Sequence, residues 1–264
     1  MRKVDCKQYA QEILDEVKAQ PNKGKLAIVT VGEDPASRVY VHGKMNDCEY
    51  CGIPVEHIQI EDGDSAWLDL DAELSRIGWD ESFSAAILQL PLPCPLDEDE
   101  DYFANRIPAR IDVDGLSDQS KFLPCTPLGV MYVLHREIGS VEGLNALVIG
   151  RSKLVGKPLA KMLLGENATV TVAHSHTAEL DKLLPHYDIV VSAVGKPNLV
   201  DLKLCHRAQI VVDIGINRGK DGKLCGDCFN FTNTTRGMKV TPVPGGIGLM
   251  TRAMLMKNVA EASK

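Results

Sequence analysis

From end to end the chain alternates short apolar runs with stretches of helical apolar spacing, which leaves few folds open. Strands that lie between helices pair in parallel, so the pattern predicts parallel sheet covered by helices. In the first half the expected strands are Lys25–Val31, Val55–Ile60 and Ser84–Leu90, with helices over about 5–18, 36–51 and 66–77. In the second half the strands fall at 145–150, Thr169–Ala173, Asp188–Val194 and Gln209–Ile214, with helices at about 157–165 and 177–184. A last helix is expected over about Leu249–Ala262. Each half looks self-sufficient. The boundary falls near Pro124-Cys125-Thr126-Pro127, followed by a linking helix over Leu128–Ile138. The expected division is therefore 1–124, completed by a terminal helix over 249–264, and 125–248. The fold class is α/β, two domains with a cleft between them, the second a doubly wound parallel sheet.

The 264 residues suffice for two domains with substantial cores. No apolar run approaches the roughly 20 residues that span a bilayer. Met1-Arg2-Lys3-Val4-Asp5 has no apolar segment behind its charges, so a secretion signal is not expected and a cytoplasmic location is. A net charge of −7 argues against nucleic acid as a partner. An anionic ligand would need a local cationic cluster, and Arg151, Lys153, Lys157 and Lys161 form one. The eight cysteines include Cys48-x2-Cys51 and Cys225-x2-Cys228, too far apart in sequence for a compact zinc module. Reduced, structural cysteine is the expectation, and His174 and His176 lack a further partner at ligand spacing. No metal site is expected.

The cluster belongs to Gly150-Arg151-Ser152-Lys153-Leu154-Val155-Gly156-Lys157-Pro158, between an apolar strand and a helix start. A helix N-terminus presents unpaired N–H groups and partial positive charge, which suits a phosphate. Glycine lets the backbone approach it closely. The spacing is G-x5-G rather than G-x-G-x-x-G, so an ordinary tight turn also fits the pattern. His174-Ser175 closes the next strand, where an NAD-specific fold usually carries Asp or Glu for the ribose 2′-hydroxyl. Serine, histidine and the Arg151 guanidinium suit a 2′-phosphate instead, which favours NADP.

Asp34-Pro35 reads as an N-cap with Pro at the first helical position. That helix places Tyr40 and Lys44 at i, i+4 on one face. A partly desolvated lysine can serve as a base near neutral pH, though an ordinary exposed helix face is the simpler account of the spacing alone. Gln89 is polar at the carboxyl end of an apolar strand, where ligands bind in open α/β sheets. Asp112-Val113-Asp114-Gly115 offers two carboxylates on opposite sides of an extended chain, so at most one faces a given site; a plain turn also fits. Pro242-Val243-Pro244-Gly245-Gly246-Ile247-Gly248 reads as a rigid loop with close backbone access, suited to a planar ring.

In this order these segments resemble the bifunctional methylenetetrahydrofolate dehydrogenase/methenyltetrahydrofolate cyclohydrolase family. The carrying pieces are Val31 to Ser37 with Tyr40 and Lys44, Gln89-Leu90-Pro91-Leu92-Pro93, Asp112 to Gly115 and Pro124 to Pro127. They continue with Gly150-Arg151-Ser152, Val155-Gly156-x-Pro158, Asp213-Ile214-Gly215-Ile216-Asn217, Gly226-Asp227 and Thr241 to Gly246. The resemblance implies a folate-binding domain, a Rossmann-like NADP domain and a homodimer joined largely through the latter. It implies oxidation of 5,10-methylenetetrahydrofolate by NADP, then hydrolysis of the methenyl cation to 10-formyltetrahydrofolate. It makes Lys44 the general acid/base, with Gln89 tuning it, Tyr40 packing on folate and Asp114 anchoring the pterin. Leu88, Leu90 and Pro244 to Gly248, including Gly245, Gly246 and Ile247, would border the folate. Gly150, Arg151, Ser152, Ser175 and Ile216 would contact NADP.

Three departures stand out. Ile111 replaces the usual lysine before Asp112, the stretch Leu116–Leu123 is shorter than usual, and Leu249 stands where proline is customary. They leave open a monofunctional dehydrogenase with weak cyclohydrolase activity. Another two-domain NADP dehydrogenase, such as one resembling the shikimate dehydrogenases, and a catalytically inactive folate or nucleotide binder are the remaining readings.

Overall fold

The computed structural model describes residues 1–219, 222–232 and 237–264. The chain divides into two compact α/β units, one of residues 11–125 and 252–264, the other of 1–10 and 126–251. The elements in chain order are β1 (Arg2–Lys3), α1 (Cys6–Lys18), β2 (Leu26–Val31), α2 (Pro35–Cys51), β3 (Val55–Ile60), α3 (Ala66–Trp79), β4 (Ala85–Leu88), α4 (Glu100–Arg106) and α5 (Cys125–Ile138). There follow β5 (Asn145–Ile149), α6 (Gly156–Gly165), β6 (Thr169–Ala173), α7 (Leu180–Leu183), β7 (Ile189–Ser192), β8 (Val200–Asp201) and β9 (Ile210–Asp213). The last are β10 (Asn217–Arg218), β11 (Leu224–Cys225), β12 (Cys228–Phe229), β13 (Lys239–Val240) and α8 (Ile247–Ala262).

In the first unit a three-stranded parallel sheet runs β3-β2-β4. Every residue of β2 is buried, as expected of a central strand covered on both faces. Helix α3 buries Ala66, Leu70, Leu74 and Ile77, one stripe at helical spacing, into the cluster formed with Val29, Phe83, Leu88 and Phe103. Beside β4, Ala86 bridges in parallel to Asp112, so the segment after α4 extends the sheet by a short step. Helix α2 starts as expected: the Asp34 carboxylate accepts from Ser37 N at 2.7 Å, with Pro35 in the first turn. It stops at Gly52, whose φ of 70° is one that few other residues adopt.

The other unit carries a six-stranded parallel sheet, ordered β1-β13-β9-β7-β5-β6. From β5 the chain moves outward to β6, then returns to place β7 on the opposite side. That reversal is a topological switch point, and ligands of such sheets bind outside the carboxyl ends of the strands there. Strands β5, β7 and β9 are buried almost throughout, the signature of an interior sheet.

Some expected bounds shift. The strand expected to Leu90 ends at Leu88, although Gln89 N still donates to Val29 O at 2.9 Å. The helix expected over 177–184 reduces to α7 and a following 3₁₀ turn at Leu184–His186, because Thr177 turns back on His174 and Glu179 sits at φ 50°. Strand β1 has too little apolar character to announce itself, yet it adds an edge to the sheet by pairing with β13. Helix α4 and the two-residue strands were likewise not expected.

Candidate functional site

The first cluster forms on α2, at the carboxyl end of β4 and on the segment after Asp112, all in one unit. Lys44 is almost fully buried, which an exposed helix face would not be. Its Nζ donates to Gln89 Oε1 at 3.0 Å and lies 3.8 Å from Asp114 Oδ2. The Gln89 amide is oriented from its other end, where Nε2 donates to Leu90 O at 2.7 Å. The ammonium thus has a neutral acceptor at hydrogen-bond distance and a carboxylate just beyond it. Tyr40 lies one turn earlier on the same face. Burial raises its phenol pKa, opposed by the charge of Arg252, so it stays a neutral hydroxyl. Leu88 is core, whereas Leu90 is only partly buried.

Asp112-Val113-Asp114-Gly115 is a turn rather than an extended chain, with Gly115 N donating to Asp112 O at 3.4 Å and Gly115 at φ 71°, and the two carboxylates still separate. Asp112 is wholly buried and accepts from the N–H groups of Gly115, Leu116 and Ser117 at 3.1, 3.3 and 2.9 Å. It winds the short 116–123 segment around itself, helped by Ser120 Oγ donating to Asp112 O. Asp114 is left to face Lys44. Ile111 is a core residue and Leu249 is partly buried.

Two contributors were not found by sequence reasoning, and both come from α8. Asn258 Nδ2 donates to Val113 O at 2.8 Å, fixing the backbone next to Asp114. Beside them the Cys125 thiol sits under Val113 O, its pKa pushed well up by burial and then by the charge of Asp114. Arg252 Nε lies 2.9 Å from Asp47 Oδ2, an ion pair without hydrogen-bond alignment, since neither atom finds a hydrogen-bond partner. Its guanidinium occupies the space a Cβ would take at Gly43, 1.8 Å from Nη1. Gly43, Lys44 and Asp47 share a face of α2 with Tyr40.

The second cluster lies at the switch point of the six-stranded sheet. Gly150 has φ 119°, and a Cβ there would stand 2.5 Å from Ala193 O. Gly156, the first residue of α6, packs so close that its Cβ would lie 2.1 Å from Gly150 O. The turn therefore needs both glycines, one for close approach across the sheet and one for helix–strand packing. Ser152 Oγ accepts from Val155 N at 3.2 Å, shaping the entry to α6. Arg151, Ser152 and Ser175 are exposed at these strand ends, and Ile216 is half exposed. The cradle without Cβ atoms, the helix N-terminus and Arg151 with Lys157 fit a dinucleotide phosphate. Pro244 to Gly248 lie in this same unit, with Gly246 pressed onto Pro242 O.

Cys48 and Cys51 belong to one unit and Cys225 and Cys228 to the other. Burial pushes the Cys48 thiol pKa up to about 12 and that of Cys51 to about 11, so both behave as small apolar groups. His174 Nδ1 accepts from the His176 N–H, which ties the two histidines into a turn. Among the described residues, no group of three His, Cys, Asp or Glu could hold a metal ion.

Residues 4–114 match the catalytic domain of tetrahydrofolate dehydrogenase/cyclohydrolase, and residues 124–264 match its NAD(P)-binding domain. The bifunctional protein FolD of Agathobacter rectalis is 39% identical, over 99% of this chain and 98% of its own. That of Anaeromyxobacter dehalogenans is 41% identical, over 100% and 99%. Among solved structures, the bifunctional FolD of Campylobacter jejuni superposes with a TM-score of 0.91 at 35% identity, covering 100% of this chain and 98% of that one. The Trypanosoma brucei FolD, solved with NADP cofactor and an inhibitor, gives a TM-score of 0.88 at 28% identity, over 98% and 96%. With both domains matched and full-length relatives near 40% identity, the chain belongs to the tetrahydrofolate dehydrogenase/cyclohydrolase family.

Proposed function

We propose that Tyr40, Lys44, Gln89 and Asp114 form the folate site and that the Gly150 crevice takes NADP. The chain is an NADP-dependent methylenetetrahydrofolate dehydrogenase and methenyltetrahydrofolate cyclohydrolase, acting in one-carbon metabolism. The observation that carries the residue assignment is the buried Lys44 Nζ held between Gln89 and Asp114.

NADP supplies the hydride acceptor, so this chain's own task in the oxidation is alignment. Arg151, Lys157 and the α6 N-terminus hold the phosphates, and Ser175 and Arg151 receive the 2′-phosphate. Ile216 offers an exposed apolar face to the cofactor. In the second reaction water adds to the one-carbon centre of the methenyl cation. As the bond from that carbon to the ring nitrogen breaks, the added oxygen becomes the formyl carbonyl. It gives up one proton to solvent and the other to the departing nitrogen. Lys44 moves that proton at Nζ, with Gln89 fixing where Nζ points. Asp114 accepts from the pterin and sets its depth, Tyr40 packs on the flat part of the folate, and Leu88 and Leu90 flank Gln89. The family resemblance implies a folate-bordering role for Pro244, Gly245, Gly246, Ile247 and Gly248. The folate domain, expected over 1–124 with 249–264, corresponds in this reading to the unit of residues 11–125 and 252–264, and the dinucleotide domain to the unit of 1–10 and 126–251, because β1 pairs with β13. The protein acts as a cytoplasmic homodimer joined through the dinucleotide domain, whose outermost strand β6 exposes Val172. Among the described residues, no helix is long and apolar enough to cross a membrane.

The test follows NADPH and the methenyl absorbance together, with methylenetetrahydrofolate and NADP as substrates. The wild-type protein should form NADPH without lasting methenyl. Lys44→Met should accumulate methenyltetrahydrofolate while keeping part of its NADPH formation. A mutant that hydrolyses methenyltetrahydrofolate at the wild-type rate would reduce Lys44 to a structural residue.

A further inference from the structure

Asp213-Ile214-Gly215-Ile216-Asn217 and Gly226-Asp227 contribute only Ile216 to the reading above, yet they hold a carboxylate that accepts from five donors. Asp227 is wholly buried. Its Oδ2 accepts from Ser192 Oγ at 2.8 Å, Val194 N at 3.0 Å and Gly195 N at 3.3 Å. Its Oδ1 accepts from Lys196 N at 2.8 Å and Asn217 Nδ2 at 3.0 Å. Three successive N–H groups converging on one carboxylate, two on Oδ2 and one on Oδ1, form a nest, a geometry that ordinarily captures an anion. Here the protein's own carboxylate fills it.

The carboxylate is itself locked. Asp213 Oδ1 accepts from Gly215 N at 3.1 Å and Asp227 N at 3.0 Å, and Oδ2 from Cys228 N at 2.9 Å. A Cβ on Gly215 would stand 2.0 Å from Asp227 Oδ1, and one on Gly226 would stand 2.0 Å from Asp213 Oδ2. The two glycines are what allow the two carboxylates to interlock.

The loop so held follows β7 at the switch point, and its first residue presents the carbonyl that Gly150 approaches so closely. The 193–196 loop is therefore one wall of the crevice and the Gly150 turn the other. A filled nest also sorts charge across the crevice. Phosphate is repelled from the Asp227 wall and drawn to the α6 N-terminus, Arg151 and Lys157.

We infer that Asp227 is a positioning residue for the dinucleotide: by occupying the 194–196 nest it fixes the crevice wall and directs the phosphates to the Gly150 turn. This rests on the assignment of that crevice to NADP.

The experiment compares full-length wild type with Asp227→Asn, in which one acceptor oxygen becomes an NH2 facing backbone donors. NADPH formation is measured against NADP and folate concentration, and methenyl hydrolysis is measured without NADP. Asp227→Asn should raise KM for NADP at least about tenfold, or about 1.4 kcal/mol. Folate KM and methenyl hydrolysis should stay within about twofold, a split that general loss of structure would not produce. An unchanged NADP KM, or hydrolysis falling in step with dehydrogenation in a folded variant, overturns the role. If Asp227→Asn does not fold, Ser192→Ala and Asn217→Ser, each removing one donor, decide it. A rise of roughly two- to fivefold in NADP KM with hydrolysis retained supports the role, and no rise overturns it. Arg151→Ala, run in parallel, separates the inference from its basis. A raised NADP KM there with none in Asp227→Asn overturns the positioning role alone. No rise in either removes the crevice assignment.

Discussion

Gly43 lies within α2, where alanine would ordinarily stabilise the helix by roughly 1 kcal/mol. Here the sign should reverse. A Cβ at 43 would stand 1.8 Å from Arg252 Nη1 and 2.9 Å from Cζ, so the guanidinium must leave. Its departure strands Asp47, which lies in the buried interior and finds no hydrogen bond. Breaking a fully buried ion pair costs about 3–5 kcal/mol. The Arg252 side chain is 25% exposed and that of Asp47 12%, so the cost falls to about 2–3 kcal/mol here. Gly43→Ala should therefore destabilise the wild type by about 1–2 kcal/mol, the helix gain offsetting part of the loss. In an Arg252→Met background the obstruction is gone, and the same substitution should stabilise by up to about 1 kcal/mol. Urea denaturation of the four proteins, followed by far-UV circular dichroism, measures this coupling. Equal effects of Gly43→Ala in both backgrounds would refute the account.

The same pair sets a pH dependence. Burial raises the Asp47 carboxyl pKa, with Arg252 pulling it back down. A raised carboxyl pKa means the folded protein holds its proton more tightly than the unfolded chain, so stability increases as pH falls toward that pKa. Removing Arg252 enlarges the shift. The deficit of Arg252→Met should be greatest near pH 8 and shrink toward about pH 5, and a constant deficit would remove Asp47 as its source.

Asp114→Ala should lower both activities together, because both use the same bound folate, with melting temperature little changed; both rates measured on one preparation decide it. Asp112→Ala should instead act on folding, since three backbone N–H groups lose their acceptor, costing about 2–4 kcal/mol and shifting the melt rather than KM. The wild type should prefer NADP to NAD by at least roughly tenfold in kcat/KM, and Arg151→Ala should erode that preference, as parallel assays with the two dinucleotides will show.

The alternation of strand and helix was legible in the chain because each element advertises itself over several residues, through continuous apolar runs in β2 and β5 and the stripe of α3. The Asp34-Pro35 cap and the Gly150 turn were legible for a related reason: their chemistry is local, set by residues within one turn of each other. Strand β1 was not, since two exposed residues at a sheet edge carry no period. Sequence spacing put Tyr40 and Lys44 on one face, and on spacing alone an exposed face was the simpler account. Burial of Lys44 depends on Gln89 and Asp114, 45 and 70 positions away, arriving from the end of β4 and from the turn that follows the Asp112 bridge. The choice between Asp112 and Asp114 was likewise tertiary, because the extended chain expected from the sequence implied only that the two carboxylates diverge. Three N–H groups of the following turn claimed Asp112 and left Asp114 to Lys44. Arg252 and Asn258 were the least readable of all. Each sits in a helix whose own sequence gives no reason for it, and its partner lies on a segment more than 100 residues earlier. Such long-range pairs carry no local signature, so only the folded chain could decide them.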